Sequence, residues 1–382
     1  MRSASLRTSM LFVLLLVLPG CWNSKDIQTM DYATAIGVDY QDGKYITYVQ
    51  FLNFSIVGRN ENVQVGKAFP NWIARGEGET LSQSLSSIYA TSQMRVFWGH
   101  VKAIVCSESL LKHGIEEAYS ATNRFGEVRY NIMVFGTKEK LTDIFSQKSV
   151  FNLSPLDTIM ISPEMTYEQR SFIVPKTSNQ VIAEVTEPAD YAMLPSLSID
   201  KKVWTMDKDK KPMLTINGAY FFRAMKMSGW MSEKELTGLR WTQSELRRSL
   251  ISVPSERNPK ASLALINPKY KVRSFVEDGR ARFEISLRLE GTLDELNEDM
   301  SIREIETAAE KIVREEIRDT FDTALAKRID ALKLEETFYR NHPKAWHKIR
   351  DSKDIILGPD SIAKITVKVH LRNTGKYKGK VR

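Results

Sequence analysis

Cysteine is nearly absent from this 382-residue chain, which has Cys21, Cys106 and no other, and it holds five histidines. So few thiols exclude a scaffold stapled by several disulfides. His342 and His347 stand five apart across Pro343, which sends them to different faces of a helix, and no larger ligand set surrounds them. Both are read as surface residues, and no metal is expected. The chain also lacks G-x-S-x-G, G-x-G-x-x-G and Walker-type loops, so no catalytic residue and no cofactor is expected. Long apolar runs are missing as well. The first, Met10–Leu18, is nine residues long, whereas a membrane-spanning helix needs ~20. No later run reaches that length. The formal net charge of +8 is modest and gives no ground for a nucleic-acid partner. Hydrophobic and charged shares of 42% and 27% are ordinary globular values, sufficient for a sizeable core.

What is present begins at the N-terminus. Arg2 and Arg7 precede the apolar core, and no acidic residue occurs before Asp26. A basic flank, a short apolar core and a small residue at its end describe an export signal, residues 1–20. Leu18-Pro19-Gly20-Cys21 resembles a bacterial lipobox, in which the cysteine thiolate accepts a diacylglycerol group and cleavage follows just before it. Cys21 is therefore the expected lipid-attachment residue; an ordinary secretory signal with a chance cysteine is the alternative. Lipidation consumes that thiol, so no intrachain disulfide is expected in the mature chain. Losing Arg2 and Arg7 lowers the formal charge by two, and the remaining excess suits a protein lying against anionic lipid.

Downstream, "YATAIGVDYQDGKYITYVQFLN" predicts a β-hairpin turning at Asp42-Gly43. Asn60–Gly78 reads as a loop, and Leu81, Leu85 and Ile88 predict a helix with one buried face. His100–Cys106 and Val128–Phe135 read as strands joined by a helix, a βαβ-type unit with partly parallel pairing. Five prolines between Pro155 and Pro195 argue against long helices there. The charged run "DKKVWTMDKDKKP" reads as a loop between domains. Ser232 and Glu235 form a capping box, which predicts a compact helix with Gly238 left-handed at its end. Two strands meet at the Asp278-Gly279 turn, and a long amphipathic helix follows from Ile302 to Ile329. A closing strand alternates Ile365, Val367, Val369 and Leu371 against a basic face. These elements predict an α+β fold of several domains: mixed sheets with packed helices, and a C-terminal domain with a long helix against a β-sheet. The expected divisions are 21–200, a middle region 201–260, and 261–382.

Few residues invite chemistry. Cys106 lies in an apolar strand, where an inert buried thiol is the usual case. Residues 294–299, "DELNED", read as a solvated turn, and "MDKDKKP" lacks the glycine of a calcium loop. Trp230 and Trp241 are assigned to core packing, with a partner pocket as the minority reading. The last 20 residues are basic and free of acid, a tail that is soluble or meets anionic lipid.

Several stretches together resemble the Ger(x)C family, the C subunits of bacterial spore germinant receptors. They are "GCWNSKDIQTMDYATAIGVDY", "FWGHVKAIVCSESLLKHGIEEAYSATNRFGEVRYNIMVF", "NGAYFFRAMKMSGWMSEKELTGLRW", "HPKAWHKIR" and "VKVHLRNTGK". The third carries the Gly229, Trp230, Glu233, Glu235, Gly238, Trp241 pattern. The resemblance implies a lipoprotein on the outer face of the spore inner membrane that works with A and B membrane subunits and has no enzymatic activity. A membrane-anchored solute-binding lipoprotein that captures a small ligand itself is the alternative.

Overall fold

Asp42 and Gly43 adopt φ of 51° and 79°, the turn that lets β1 (Met30–Gln41) fold back onto β2 (Lys44–Leu52). The computed structural model describes residues 30–52, 70–116, 119, 127–189, 191–254, 258–351 and 356–373. A third antiparallel strand, β3 (Trp72–Gly78), joins β2, inside the stretch expected to be a loop. Its glycines are there for packing: a Cβ at Gly76 would lie 2.0 Å from the Ser84 carbonyl of α1 (Leu81–Ile88). The expected helix forms, burying Leu81, Leu85 and Ile88.

On its other side β1 pairs in parallel with β4 (Arg95–Phe97) and then with β5 (Ala103–Ser107). β6 (Met133–Thr137) and β7 (Ala192–Met206) extend the parallel series. This is the expected βαβ arrangement, with α2 (Glu108–His113) between β5 and β6. Among the described residues between β6 and β7 the helices are short: α3 (Leu141–Ser146), α4 (Glu164–Gln169) and α5 (Ser178–Thr186), with 3-10 turns at Val150–Asn152 and Pro155–Asp157. β8 (Asp209–Arg223) and β9 (Lys226–Ser232) close a nine-stranded sheet antiparallel.

The charged run at 200–212 is the tip of the β7–β8 hairpin, with Asp207 turning at φ 55°. Residues 201–210 are all exposed, so neither face carries the apolar alternation by which a strand is read from sequence.

The second sheet is β10 (Ser249–Val253), β11 (Ala261–Glu277), β12 (Arg280–Leu296) and β13 (Ile362–Asn373), in that order. The Asp278-Gly279 turn forms as expected, and β13 returns parallel to β12. The long helix α6 (Ile302–Ala326) is capped by Ser301 and Glu304, and it buries Ile305, Ile312, Val313, Ile317 and Phe321 toward this sheet. Two further helices, α7 (Leu334–Asn341) and α8 (Pro343–Arg350), complete the C-terminal part. The stretch 201–260 does not fold as a unit of its own: residues up to Ser232 continue the first sheet and Ser249 opens the second. One apolar core runs through both, joining Met193, Phe221 and Met231 to Leu263, Phe283 and Phe321. The result is an α+β molecule of mixed sheets with packed helices.

Candidate functional site

Cys21 lies outside the described residues. Cys106 is in β5, half-buried among apolar side chains, and desolvation pushes its thiol up to about 12. A thiol held so high is a poor nucleophile at neutral pH. His342 is tied by its ring to the Ser274 carbonyl (3.0 Å), and His347 is exposed. Of residues 294–299, expected as a turn, 294–296 are the end of β12; Asp294 pairs with Arg248, and Glu298, past the strand, with Lys260. Among the described residues, no group of His, Cys, Asp and Glu is placed to hold a metal ion, and no helix is long and apolar enough to cross a membrane.

The most organised polar groups lie where the two sheets join. After β9, Ser232 and Glu235 exchange the expected capping bonds: the Ser232 amide donates to Glu235 Oε2 (2.7 Å) and the Glu235 amide to Ser232 Oγ (3.3 Å). No α-helix follows. The segment turns into a short 3-10 helix, Leu239–Thr242, because its polar groups are claimed by α6. Thr320 accepts from the Gly238 amide (2.9 Å) and donates to the Glu235 carbonyl (2.9 Å), while Lys327 binds Glu235. Gly238 is correspondingly not left-handed; its φ is −73°. Glycine is needed for another reason, since a Cβ there would lie 2.2 Å from the Glu316 carbonyl.

The same carboxylate-bearing turn of α6 holds the neighbouring side chains. Glu316 accepts from Arg240 (2.8 Å) and from the indole of Trp241 (2.6 Å). Trp241 is fully buried in the shared core. Trp230 is half-buried in β9, with the Lys138 ammonium 3.5 Å from its ring centroid.

Farther along the joint, Arg223 of β8 reaches Glu335 of α7 at 2.7 Å, and Glu335 is fully buried. Burial pushes the Glu335 carboxyl up, against the opposing pull of Arg223. Glu184 of α5 pairs with both Lys176 and Lys333. Burial pushes that carboxyl up too, but the two cations outweigh it and hold it below the ordinary range. A cleft of about 450 Å³ opens beside these groups, lined in part by Lys176, Glu184, Tyr191, Tyr270 and Lys333. The sequence reading missed all these pairs except the cap; partners such as Arg240 and Glu316, or Arg223 and Glu335, stand 76 and 112 residues apart and leave no local signal.

The architecture and this joint define a two-sheet α+β protein whose buried charges fix one half against the other. Residues 23–199 match the spore germination protein N-terminal domain, and residues 217–375 match the spore germination B3/GerAC-like C-terminal domain. The chain belongs to this GerC family of spore germination proteins. It is 24% identical to spore germination protein KC of Bacillus subtilis (strain 168), over 97% of this chain and 96% of that one. It is 22% identical to spore germination protein B3 of the same organism, over 93% and 94%. The crystal structure of the GerBC protein superposes on 89% of this chain and 98% of its own with a TM-score of 0.52, at 16% identity. That likeness supports the two-sheet fold.

Proposed function

We propose that this chain is a lipid-anchored, non-enzymatic subunit of a spore germinant receptor, needed for the response to nutrient germinants. In this reading Cys21 carries the acyl anchor on the outer face of the spore inner membrane, and the folded part works beside A and B membrane subunits. The observation that carries the reading is the pair of family matches, which together span residues 23 to 375 directly behind the Leu18–Cys21 lipobox. The inert Cys106 thiol agrees with a binding role. The test is Cys21→Ala in spores. Loss of acyl mass at the N-terminus, of membrane retention and of nutrient-triggered germination is expected, together with loss of co-purifying membrane subunits. Wild-type processing and membrane retention of the variant would refute the anchor.

The cleft beside Glu184 favours a second reading, a lipoprotein that captures a small solute itself. Calorimetric titration of the purified chain with single amino acids and sugars separates the two. Saturable binding without any partner subunit supports the second.

A further inference from the structure

We propose that the end of the first sheet where β1 begins is the lipid-facing surface of the protein. Arg95, Lys102 and Arg129 would meet anionic headgroups there, while Trp72 and Tyr130 would enter the headgroup boundary. This inference rests on the anchor at Cys21.

Strand register places these residues together. Arg95 pairs with Met30, the first residue of β1. β2 returns to bring Leu52 opposite Tyr32, and β3 starts from the same end with Trp72 opposite Phe51. Lys102 enters β5 with its amide on the Thr34 carbonyl, and the Met133 amide binds the Lys102 carbonyl, so the chain through Arg129 and Tyr130 enters β6 there too. Trp72 is 69% exposed and Tyr130 62%. Arg95, Lys102 and Arg129 are exposed as well. His100, stacked edge-on against Tyr32 at 5.2 Å, is held below its ordinary range by burial and then by Lys102 and Arg129, which places those cations around it. Asp31 also lies at this end and accepts from Ser92 (3.1 Å).

Tether length sets the orientation. Met30 is nine steps along the chain from Cys21, and at ~3.3–3.6 Å each these reach roughly 30 Å at most. This end cannot stand far from the bilayer that holds the anchor. The β7–β8 hairpin tip also combines Val203, Trp204 and Met206 with lysines, but it projects from the opposite end. β7 runs parallel to β1, and Met206 lies ten residues past Ser196, about 33 Å along a strand. Aspartates 200, 207 and 209 interrupt its cations. Composition alone would allow either end; topology selects the first. Aromatic side chains at the headgroup level and cations facing anionic lipid are the expected occupants of such a surface.

The experiment has two arms. A chain from residue 22 keeps every element described; it is sedimented with vesicles of phosphatidylcholine, with and without one-quarter phosphatidylglycerol. Partitioning should depend on phosphatidylglycerol and fall about a hundredfold in R95Q/K102Q/R129Q, at about fivefold per cation. The opposite-end variant K201Q/K202Q/K208Q should stay within about twofold of wild type. In the second arm, the acylated full chain is placed in vesicles containing brominated lipid. With Trp22, the neighbour of Cys21, replaced by Phe throughout, quenching should be lost on Trp72→Phe and kept on Trp204→Phe. Equal partitioning of R95Q/K102Q/R129Q, or quenching carried by Trp204, overturns the proposal and leaves the anchor standing. Absence of acyl mass on Cys21, with phosphatidylglycerol-dependent partitioning retained, overturns the anchor and supports the surface.

Discussion

In the first sheet, the central strands run parallel and are buried on both faces: eight consecutive residues of β1 are covered, with Ile36 and Val38 packed on one side and Ala35 on the other. In the second sheet β12 alternates without a break, Ala281, Phe283, Ile285, Leu287 and Leu289 inward and the residues between them more exposed. The edges differ as well. β3 ends the first sheet as a short strand with Trp72 in solvent. The outer edge of β13 is met by α6, whose Glu310 and Glu306 accept from the Val369 and Leu371 amides at 3.3 and 2.8 Å. Arg318 donates to the Ile362 carbonyl on the same edge (3.1 Å). Helix side chains there do what a fifth strand would otherwise do, and cover an edge open to intermolecular pairing. The same helix also holds the Gly238 turn, so α6 serves the second sheet and the joint together.

The largest effect should come from pushing the two halves apart at Gly238. Gly238→Val places a Cβ against the Glu316 backbone, which cannot yield as a flexible side chain would. A loss of about 3 kcal/mol or more is expected from such overpacking. Gly238→Asn should be no better than Gly238→Ala, because the backbone is not left-handed there. At Gly43, where φ is 79° and space is open, Asn should be tolerated better than Val. Urea midpoints of the five variants check this; rescue at position 238 by Asn would show that conformation, not crowding, selects glycine.

Next in size is Arg223→Ala. It removes the cation paired with Glu335, which is fully buried and keeps the Trp346 indole at 3.2 Å, and should cost about 3 kcal/mol. Replacing both partners by apolar residues should cost less than this single change. A double-mutant cycle read by chemical unfolding measures the coupling; additive losses would mean that the pair does not join the halves.

What was legible in the sequence follows the same contrast. One-sided sheets announce themselves: β11, β12 and β13 and the stripe of α6 are readable because water on one face enforces a period. The Asp42-Gly43 and Asp278-Gly279 turns are equally local. β3 was lost because Gly76 and Gly78, which read as loop residues, are there to admit α1. The hairpin tip was lost because both its faces are wet. At the joint, Ser232 and Glu235 were visible as a cap, but the helix they normally begin is diverted by Thr320 and Lys327, far along the chain. The cap is written in residues three apart, whereas the Arg223–Glu335 pair exists only once β8 and α7 meet.

A smaller, pH-dependent effect separates the two buried carboxylates of the joint. Glu184 titrates lower in the folded protein than its ordinary 4.5, so between those values the unfolded chain binds more protons. Its contribution is present above 4.5 and is lost as pH falls through the folded value. Glu335 is raised, so its proton is bound more tightly when folded, and stability falls as pH rises through that window. Thermal melts from pH 7 downward should show Glu184→Gln less stable than wild type at neutrality, with the gap closing in acid. A gap that persists unchanged below the folded value would assign the loss to packing.

The smallest expected effect tests the edge of the second sheet. Glu306→Ala removes the acceptor for the Leu371 amide, and Glu310→Ala that for Val369. Both carboxylates keep some solvent access, with side chains 24% and 15% exposed, so water can partly replace them. Each change should cost about 1 kcal/mol. Glu306→Gln keeps an acceptor oxygen and should cost less than Glu306→Ala. Global stability is a blunt probe of so small a term, but amide hydrogen exchange reads the edge directly. Exchange at Leu371 should quicken in Glu306→Ala while β11 amides pairing with β12 stay protected, and Val369 should respond to Glu310→Ala in the same way. The double alanine variant leaves two adjacent donors of an edge strand uncovered, and self-association should appear in it before it appears in either single variant. Unchanged exchange at both amides would mean that α6 merely lies beside β13, and the two sheets would then leave their edges open alike.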